Sequence, residues 1–256
     1  MKILMLSAFY NRPILVRNML NSILKANEHH ADWELAFADD GSKTPGKPIV
    51  EEILKDHLDK IRFYHSNMTF EDKVAQGLIL GRMANQAIKD SNADVAIMLC
   101  DDDELVSMYL KNLSDYFESN PNVLHCYCKL HLYNPLHKKS EEVNNITGKW
   151  NQYSEPINPV NKLDASQVAW RISCNKEHGA WFKDNTKQVP GKPWTKDTDK
   201  SFFENLFAKC GKSHPLGVAG QYKGVHDYQL LWHKDVPAAS LWAYDQMCRD
   251  LGGKEF

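Results

Sequence analysis

No stretch of this 256-residue sequence approaches the roughly 18–20 consecutive apolar residues that a bilayer-spanning helix requires. Its apolar opening, Met1 to Phe9, stops at Tyr10, Asn11, Arg12 and Pro13, too early for a secretory leader with a small-residue cleavage site. It reads as a first buried strand, and the expectation is a cytoplasmic protein with no transmembrane segment. Paired CxxC spacing is missing as well. The six cysteines, Cys100, Cys126, Cys128, Cys174, Cys210 and Cys248, are scattered, which speaks against structural zinc and for free thiols in a reducing compartment. Cys126-x-Cys128 is too tight for a zinc knuckle and is read as marking alternate faces of one strand. An excess of one charge is lacking too. With a formal net charge of −2 and no basic run, a nucleic-acid partner has no electrostatic support, and an anionic substrate must be met by local charges or by a metal ion.

What is present is ordinary globular composition, 43% hydrophobic and 25% charged, which excludes a disordered or fibrous chain. The length sits near the upper end for one domain, and no internal repeat is visible. Lys2 to Phe9 is a continuous apolar run, as in a strand buried on both faces. Pro13 opens a helix whose apolar positions Ile14, Leu15, Met19, Leu20, Ile23 and Leu24 recur at helical spacing. Trp33 to Ala38 is a second strand, Ile49 to Leu58 a helix, Ile61 to His65 a short strand, and Val74 to Ile88 a helix. Val95 to Leu99 is the next strand, Met108 to Phe117 a helix, and Val123 to Leu132 a strand. Strands alternating with helices predict an α/β fold with a mainly parallel sheet and helices on both faces. From about Asn134 to Asn161 the composition turns to Lys, Ser, Glu, Asn and Pro. Too few strand signals follow for a second core. The expectation is one domain over 1–256, with a nucleotide-binding half at 1–133 and an acceptor-side half at 134–256.

Ligands of open parallel sheets bind outside the carboxyl ends of the strands. Two acidic clusters fall at such ends: Asp39-Asp40, followed by the turn residues Gly41-Ser42, and Asp101-Asp102-Asp103. Carboxylates there are costly unless solvated or bound to something. One near-motif competes. Gly41-Ser42-Lys43-Thr44-Pro45-Gly46-Lys47-Pro48 nearly spells a P-loop, but Pro48 supplies neither a hydroxyl for magnesium nor an N–H for phosphate. Asp39 and Asp40 would also oppose the phosphates.

The ordered set of features resembles glycosyltransferase family 2, enzymes of the GT-A fold with a Rossmann-like sheet. The carrying residues are Ser7 to Pro13 after the first strand, Trp33-Glu34-Leu35 leading into Asp39-Asp40-Gly41-Ser42, then Gly77, Gly81 and Asn85, then Leu99-Cys100-Asp101-Asp102-Asp103. The resemblance covers the first 115 residues or so well and the rest loosely. It implies that Phe9, Tyr10, Asn11 and Asp39 hold the base and ribose of a nucleoside-diphosphate sugar, a UDP-sugar first among them. Asp40 and Ser42 would shape the turn, and Arg12 and Asp101 belong to the same cofactor-binding set. Lys73 and Arg82 are candidates to meet the diphosphate.

Asp101, Asp102 and Asp103 look like the family's D-x-D motif, which implies Mn²⁺ or Mg²⁺. A diphosphate leaving group concentrates negative charge, and a hard cation on oxygen ligands neutralises it as the sugar–phosphate bond breaks. Two registers are open. One places Cys100 at the first Asp of L-D-x-D-D and makes Asp102 the main ligand; the other matches Asp101-x-Asp103. Gln221 to His226 resembles the segment that supplies a late metal-binding histidine, which makes His226 a further candidate. The resemblance also places an E-D pair with the general base near Trp194 to Asp199, so Asp199 is the catalytic candidate and Asp197 the fallback. The acceptor is expected to be a saccharide or another hydroxyl compound. Trp170, Trp181 and Trp194 could line its pocket, although core packing is the commoner fate of tryptophan. Two other readings compete with an inverting glycosyltransferase. A nucleotidyltransferase wants a Gly-rich basic loop after strand one, which Asn11-Arg12-Pro13 is not. A non-catalytic carbohydrate- or nucleotide-binding module needs neither a leaving-group metal nor a base.

Overall fold

The computed structural model describes residues 1–66, 80–133, 154–160, 162–183 and 197–224. Its first strand β1 (Ile3–Phe9) pairs in parallel with β2 (Trp33–Asp39) on one side and β4 (Val95–Met98) on the other. Beyond β2 lies β3 (Ile61–His65), also parallel. Period-two alternation divides these strands between two cores. Ile3, Met5, Trp33, Leu35, Phe37, Val95 and Ile97 face one side, together with α1 (Pro13–Asn27), α2 (Lys47–Ile53) and α4 (Tyr109–Ser119). Leu4, Leu6, Ala36, Ala38, Ala96 and Met98 face the other, against α3 (Leu80–Asp90) and α5 (Asp197–Cys210). The alanines on that second face leave room for Ala84 and Ala87 of α3 to approach the sheet closely. Helices therefore cover both faces, as the strand–helix alternation predicted.

The rest of the sheet is mixed. β7 (Val168–Arg171) runs antiparallel to β4, and β6 (His125–Tyr133) is antiparallel to β7. β8 (His214–Gly224) is parallel to β6 and antiparallel to the two-residue β5 (Glu104–Leu105). Among the described residues the order is β3-β2-β1-β4-β7-β6-β8-β5 in one eight-stranded sheet.

Several local expectations are revised. The helix read as Ile49 to Leu58 ends at Ile53 and continues as 3-10 turns over Lys55–Lys60, where His57 leaves helical geometry at φ −135° and sets its ring edge-on to Trp33. Cys126 and Cys128 do not mark alternate faces. Residues two apart on a strand share a face, and both lie in the first core with Leu130. Trp170 is fully buried against Phe202 and Phe182, with centroid separations of 4.8 and 6.1 Å, so it belongs to the second core rather than to an acceptor pocket. Trp181 is half-buried with Lys89 over its ring, and Trp194 lies outside the described residues. The cysteines among the described residues are free thiols. No helix there is long and apolar enough to cross a membrane.

Candidate active site

The parallel register aligns Phe9 with Asp39 and Leu6 with Met98, so the loops leaving β1, β2 and β4 emerge at one edge of the sheet. The first loop is threaded between the two acidic segments. On one side the Asn11 N–H donates to Ser42 Oγ at 3.1 Å, and Asn11 Oδ1 accepts from the Lys43 N–H at 2.7 Å. On the other side the Tyr10 N–H donates to Asp101 Oδ2 at 3.2 Å, while Arg12 Nη1 reaches Asp101 Oδ1 at 2.9 Å and Asp102 Oδ2 at 3.1 Å. Asn11 takes the left-handed conformation at φ 53°, which asparagine tolerates better than most residues. That turn lets Arg12 precede Pro13 at the start of α1.

Asp39 holds the second loop. Its Oδ1 accepts the Ser42 N–H and its Oδ2 the Gly46 N–H, both at 2.8 Å, and its backbone carbonyl accepts from Ser66. The turn-shaping work that the resemblance gave to Asp40 and Ser42 is thus shared by Asp39. These bonds also dispose of the P-loop alternative, because N–H groups that would cradle phosphate are already bound to a carboxylate. Gly46 is required here for space: a Cβ would fall 2.6 Å from the Phe9 ring and 2.8 Å from that of Phe37. Asp40 is buried, and its N–H donates to the Phe9 carbonyl at 3.0 Å.

Asp103 points the other way, into a buried network that sequence reasoning missed. Ser166 Oγ donates to Asp103 Oδ2 at 2.5 Å, and Lys223 Nζ lies 3.3 Å from the same oxygen. Lys223 also reaches Asp164 Oδ1 at 3.4 Å and Ser166 Oγ at 3.4 Å. Asp164 and Gln167 form a reciprocal capping box around Ser166, and Gln167 Nε2 donates to the Cys128 carbonyl at 3.0 Å. On β8, Gln221 and Lys223 share a face; Gln221 Nε2 donates to the Met98 carbonyl at 2.8 Å, at the end of β4. The capping spacing Asp164-x-x-Gln167 and the alternation Gln221-x-Lys223 were visible signals, but nothing in the sequence joins them to Asp103.

The electrostatics follow from burial. Desolvation pushes Asp101 up to about 6 against the pull of Arg12, and Asp103 up to about 7 against the pull of Lys223. Burial alone would lower Lys223, but Asp103 and Asp164 outweigh it and raise it, so the ammonium is the firmly charged member. Desolvation also drives the Cys100 thiol well up. Among the described residues, four carboxylates (Asp101, Asp102, Asp103, Asp164) face two cations (Arg12, Lys223), which leaves two formal negative charges. Ligand atoms of Cys100, Asp102 and Asp103 lie within 4.8 Å of one another. The carboxylate oxygens suit a hard divalent cation, whereas the neutral thiol does not.

The structure therefore brings together Phe9, Tyr10, Asn11, Arg12, Asp39, Asp40, Asp101, Asp102 and Asp103. Arg82 is exposed in the first turn of α3. Asp197 and Asp199 begin α5, with their backbone alone described. Lys73, Gly77 and His226 lie outside the described residues. A separate cavity of about 510 Å³, lined by Lys2, Trp33, Glu34, Lys60, Arg62 and Asp90, sits at the amino ends of the strands, away from the acidic loops.

A sequence profile described as glycosyl transferase family 2 matches residues 6–156. The chain belongs to glycosyl transferase family 2. The matched span of this family 2 chain includes the end of β1, both acidic strand ends and β6. No curated protein matches it in sequence. Solved structures share its fold. TarS from S. aureus in complex with UDP aligns with a TM-score of 0.67 at 15% identity, over 89% of this chain and 62% of that one. TarS in complex with UDP-GlcNAc gives 0.66 at 14%, over 97% and 65%. The mannosyltransferase PcManGT from Pyrobaculum calidifontis, in complex with GDP-Man and Mn²⁺, gives 0.58 at 14%, over 88% and 57%. The chain thus spans less than two thirds of the length of these proteins, and the likeness is one of GT-A fold.

Proposed function

We propose that this family 2 chain transfers a sugar from a nucleoside-diphosphate sugar to an acceptor hydroxyl, with inversion and with Mn²⁺ or Mg²⁺ as cofactor. The observation that carries the reading is the first loop, clamped between the Asp39 turn and the Asp101–Asp103 turn at the carboxyl edge of the sheet. A nucleotide laid along that loop would meet the backbone of Phe9, Tyr10 and Asn11 and the carboxylates of Asp39 and Asp40. Its diphosphate would then lie toward Asp101–Asp103, with Arg12, Arg82 and Lys73 as the candidate cations. UDP and UDP-GlcNAc in TarS, and GDP-Man with Mn²⁺ in PcManGT, support a donor of this class. A UDP-sugar is the first choice.

Asp102, with Asp101 and Asp103 beside it and His226 as a later candidate, would hold the cation. When bound, the cation supplies charge neutralisation for the departing diphosphate. The chain's own residues do the remaining work. The Asp39 turn orients the base, the first loop fixes the ribose, and Asp199, with Asp197 as fallback, accepts the proton of the attacking hydroxyl. The base stands at a helix start, where exposed N–H groups favour the ionised form it needs. Inversion follows from a single displacement in which that base faces the anomeric carbon from the side opposite the leaving group. One sheet containing strands from both halves supports reading 1–256 as a single catalytic domain, with 134–256 forming the side that meets a saccharide or other hydroxyl acceptor.

Calorimetry with UDP, GDP, TDP and CDP sugars in the presence of Mn²⁺ tests the reading. At least one should bind, and its binding should weaken when EDTA removes the cation. Silence across the whole panel would remove the nucleotide reading.

A further inference from the structure

The three aspartates of the acidic turn are not equivalent, and the difference lies in what holds each one. Arg12, which spans Asp101 and Asp102, projects from a loop and keeps 18% of its side-chain surface exposed. It has solvent to move into. Lys223 keeps 9%, and its Asp103 partner none. The backbone of Lys223 is paired with Leu132 in the β6–β8 ladder, and its neighbour Tyr222 pairs with Glu104 of β5. Its backbone is held in the sheet, and its ammonium is enclosed by Asp103, Asp164 and Ser166. A cation arriving at the turn can displace Arg12 toward solvent, but it would have to share Asp103 with a buried positive charge that has no solvent to move into.

We propose that Lys223 is a positioning residue that withholds Asp103 from metal coordination and leaves Asp102 as the carboxylate presented to the cation. This rests on the metal-dependent reading above and decides between its two registers. Asp103 Oδ2 is bonded by Ser166 Oγ and Lys223 Nζ together. Asp101 has its Oδ2 on the Tyr10 N–H and its Oδ1 on Arg12. Asp102 Oδ2 lies 3.1 Å from Arg12, the displaceable cation. Asp164 belongs to the same device. It caps the turn that carries Ser166 and shares Lys223, so the segment leading into β7 is tied to the donor edge through the ammonium as well as through Ser166.

The test is Mn²⁺ binding, read from the electron paramagnetic resonance signal of the free ion, with UDP or GDP present. Wild type, Asp102→Asn, Lys223→Met and the charge-neutral double variant Asp103→Asn/Lys223→Met are compared. Asp102→Asn should weaken Mn²⁺ by about 30-fold or more. The double variant should stay within about threefold of wild type, because it removes a carboxylate that the cation does not use. Lys223→Met, where it folds, should bind Mn²⁺ about tenfold more tightly, since Asp103 becomes available, and adding Asp103→Asn should cancel the gain. A purely structural lysine would give no such gain. Where Lys223→Met does not fold, the double variant decides. Loss of Mn²⁺ in the double variant to the level of Asp102→Asn overturns the proposal and leaves the metal reading standing. Failure of wild type to bind Mn²⁺ with either nucleotide overturns both.

Discussion

Replacing Asp39 by Asn keeps the shape of the side chain and changes what it can accept. In the native loop both carboxylate oxygens receive backbone N–H groups at 2.8 Å, from Ser42 and from Gly46. Asparagine offers one acceptor oxygen, so its NH₂ must face one of these N–H groups. The Gly46 bond is buried, and Asp39 itself is 5% exposed. Losing one charge-assisted bond costs about 1.5–3 kcal/mol, and a buried N–H left without an acceptor costs a comparable amount. These overlap, giving an expected loss of about 2–4 kcal/mol. With a urea m-value of about 3 kcal/mol/M for a chain of this size, the unfolding midpoint should fall by about 0.7–1.3 M at unchanged slope. Nucleotide affinity should fall as well, because Ser42 and Lys43 carry the bonds to Asn11. A midpoint shift below about 0.2 M with nucleotide binding abolished would refute the reasoning, since Asp39 would then be a ligand contact that does not hold the loop.

His125 supplies a pH test. Burial lowers it to about 4, although its Nε2 bonds the Gly211 carbonyl at 3.0 Å, which pulls it upward. The folded value lies below the ordinary 6.5, so its contribution to stability is present above about pH 6.5 and is lost as pH falls toward 4. That amounts to about 3 kcal/mol. Wild type should lose about that much more than His125→Gln between pH 7 and pH 4 in urea titrations; superimposable profiles would reject it. The buried aspartates titrate in both proteins, so the difference isolates the histidine. At the base, Asp199→Asn should keep donor affinity while losing about 10²–10⁴-fold in turnover. Near-normal turnover in Asp199→Asn with none in Asp197→Asn would move the base to Asp197.

The amino-terminal part of the fold was legible because its signals are local. Odd and even positions of β1, β2 and β4 divide cleanly between two cores, and Pro13 opens α1 as its fixed φ favours. β8 was not legible. Pro215, Gly217 and Gly220 argue against a strand in isolation. Each has a place in the tertiary structure. The register slips between the Tyr127–Pro215 and Lys129–Ala219 pairs, and Gly217 takes φ 86° within that bulge. At Gly220 a Cβ would fall 2.5 Å from Cys128 Sγ, so only glycine lets β8 approach β6 and Tyr109. Competing breakers hid the one strand that carries Gln221 and Lys223 to the acidic turn.

The acidic residues themselves were legible, but their charge balance was not. From sequence, three adjacent aspartates look like three unpaired negative charges awaiting a metal. In the folded chain Arg12 and Lys223 cancel part of that charge, while Asp164 arrives from elsewhere and restores some of it. Among the described residues the remainder is two formal negative charges, in a site where Asp101 and Asp103 are already driven toward protonation by burial. Protons can relieve that excess, and so can a divalent cation, but a bare diphosphate would aggravate it. Donor and cation should consequently depend on one another. With both present their charges offset each other and that of the carboxylates, whereas nucleotide alone meets repulsion from Asp101, Asp102 and Asp103 together.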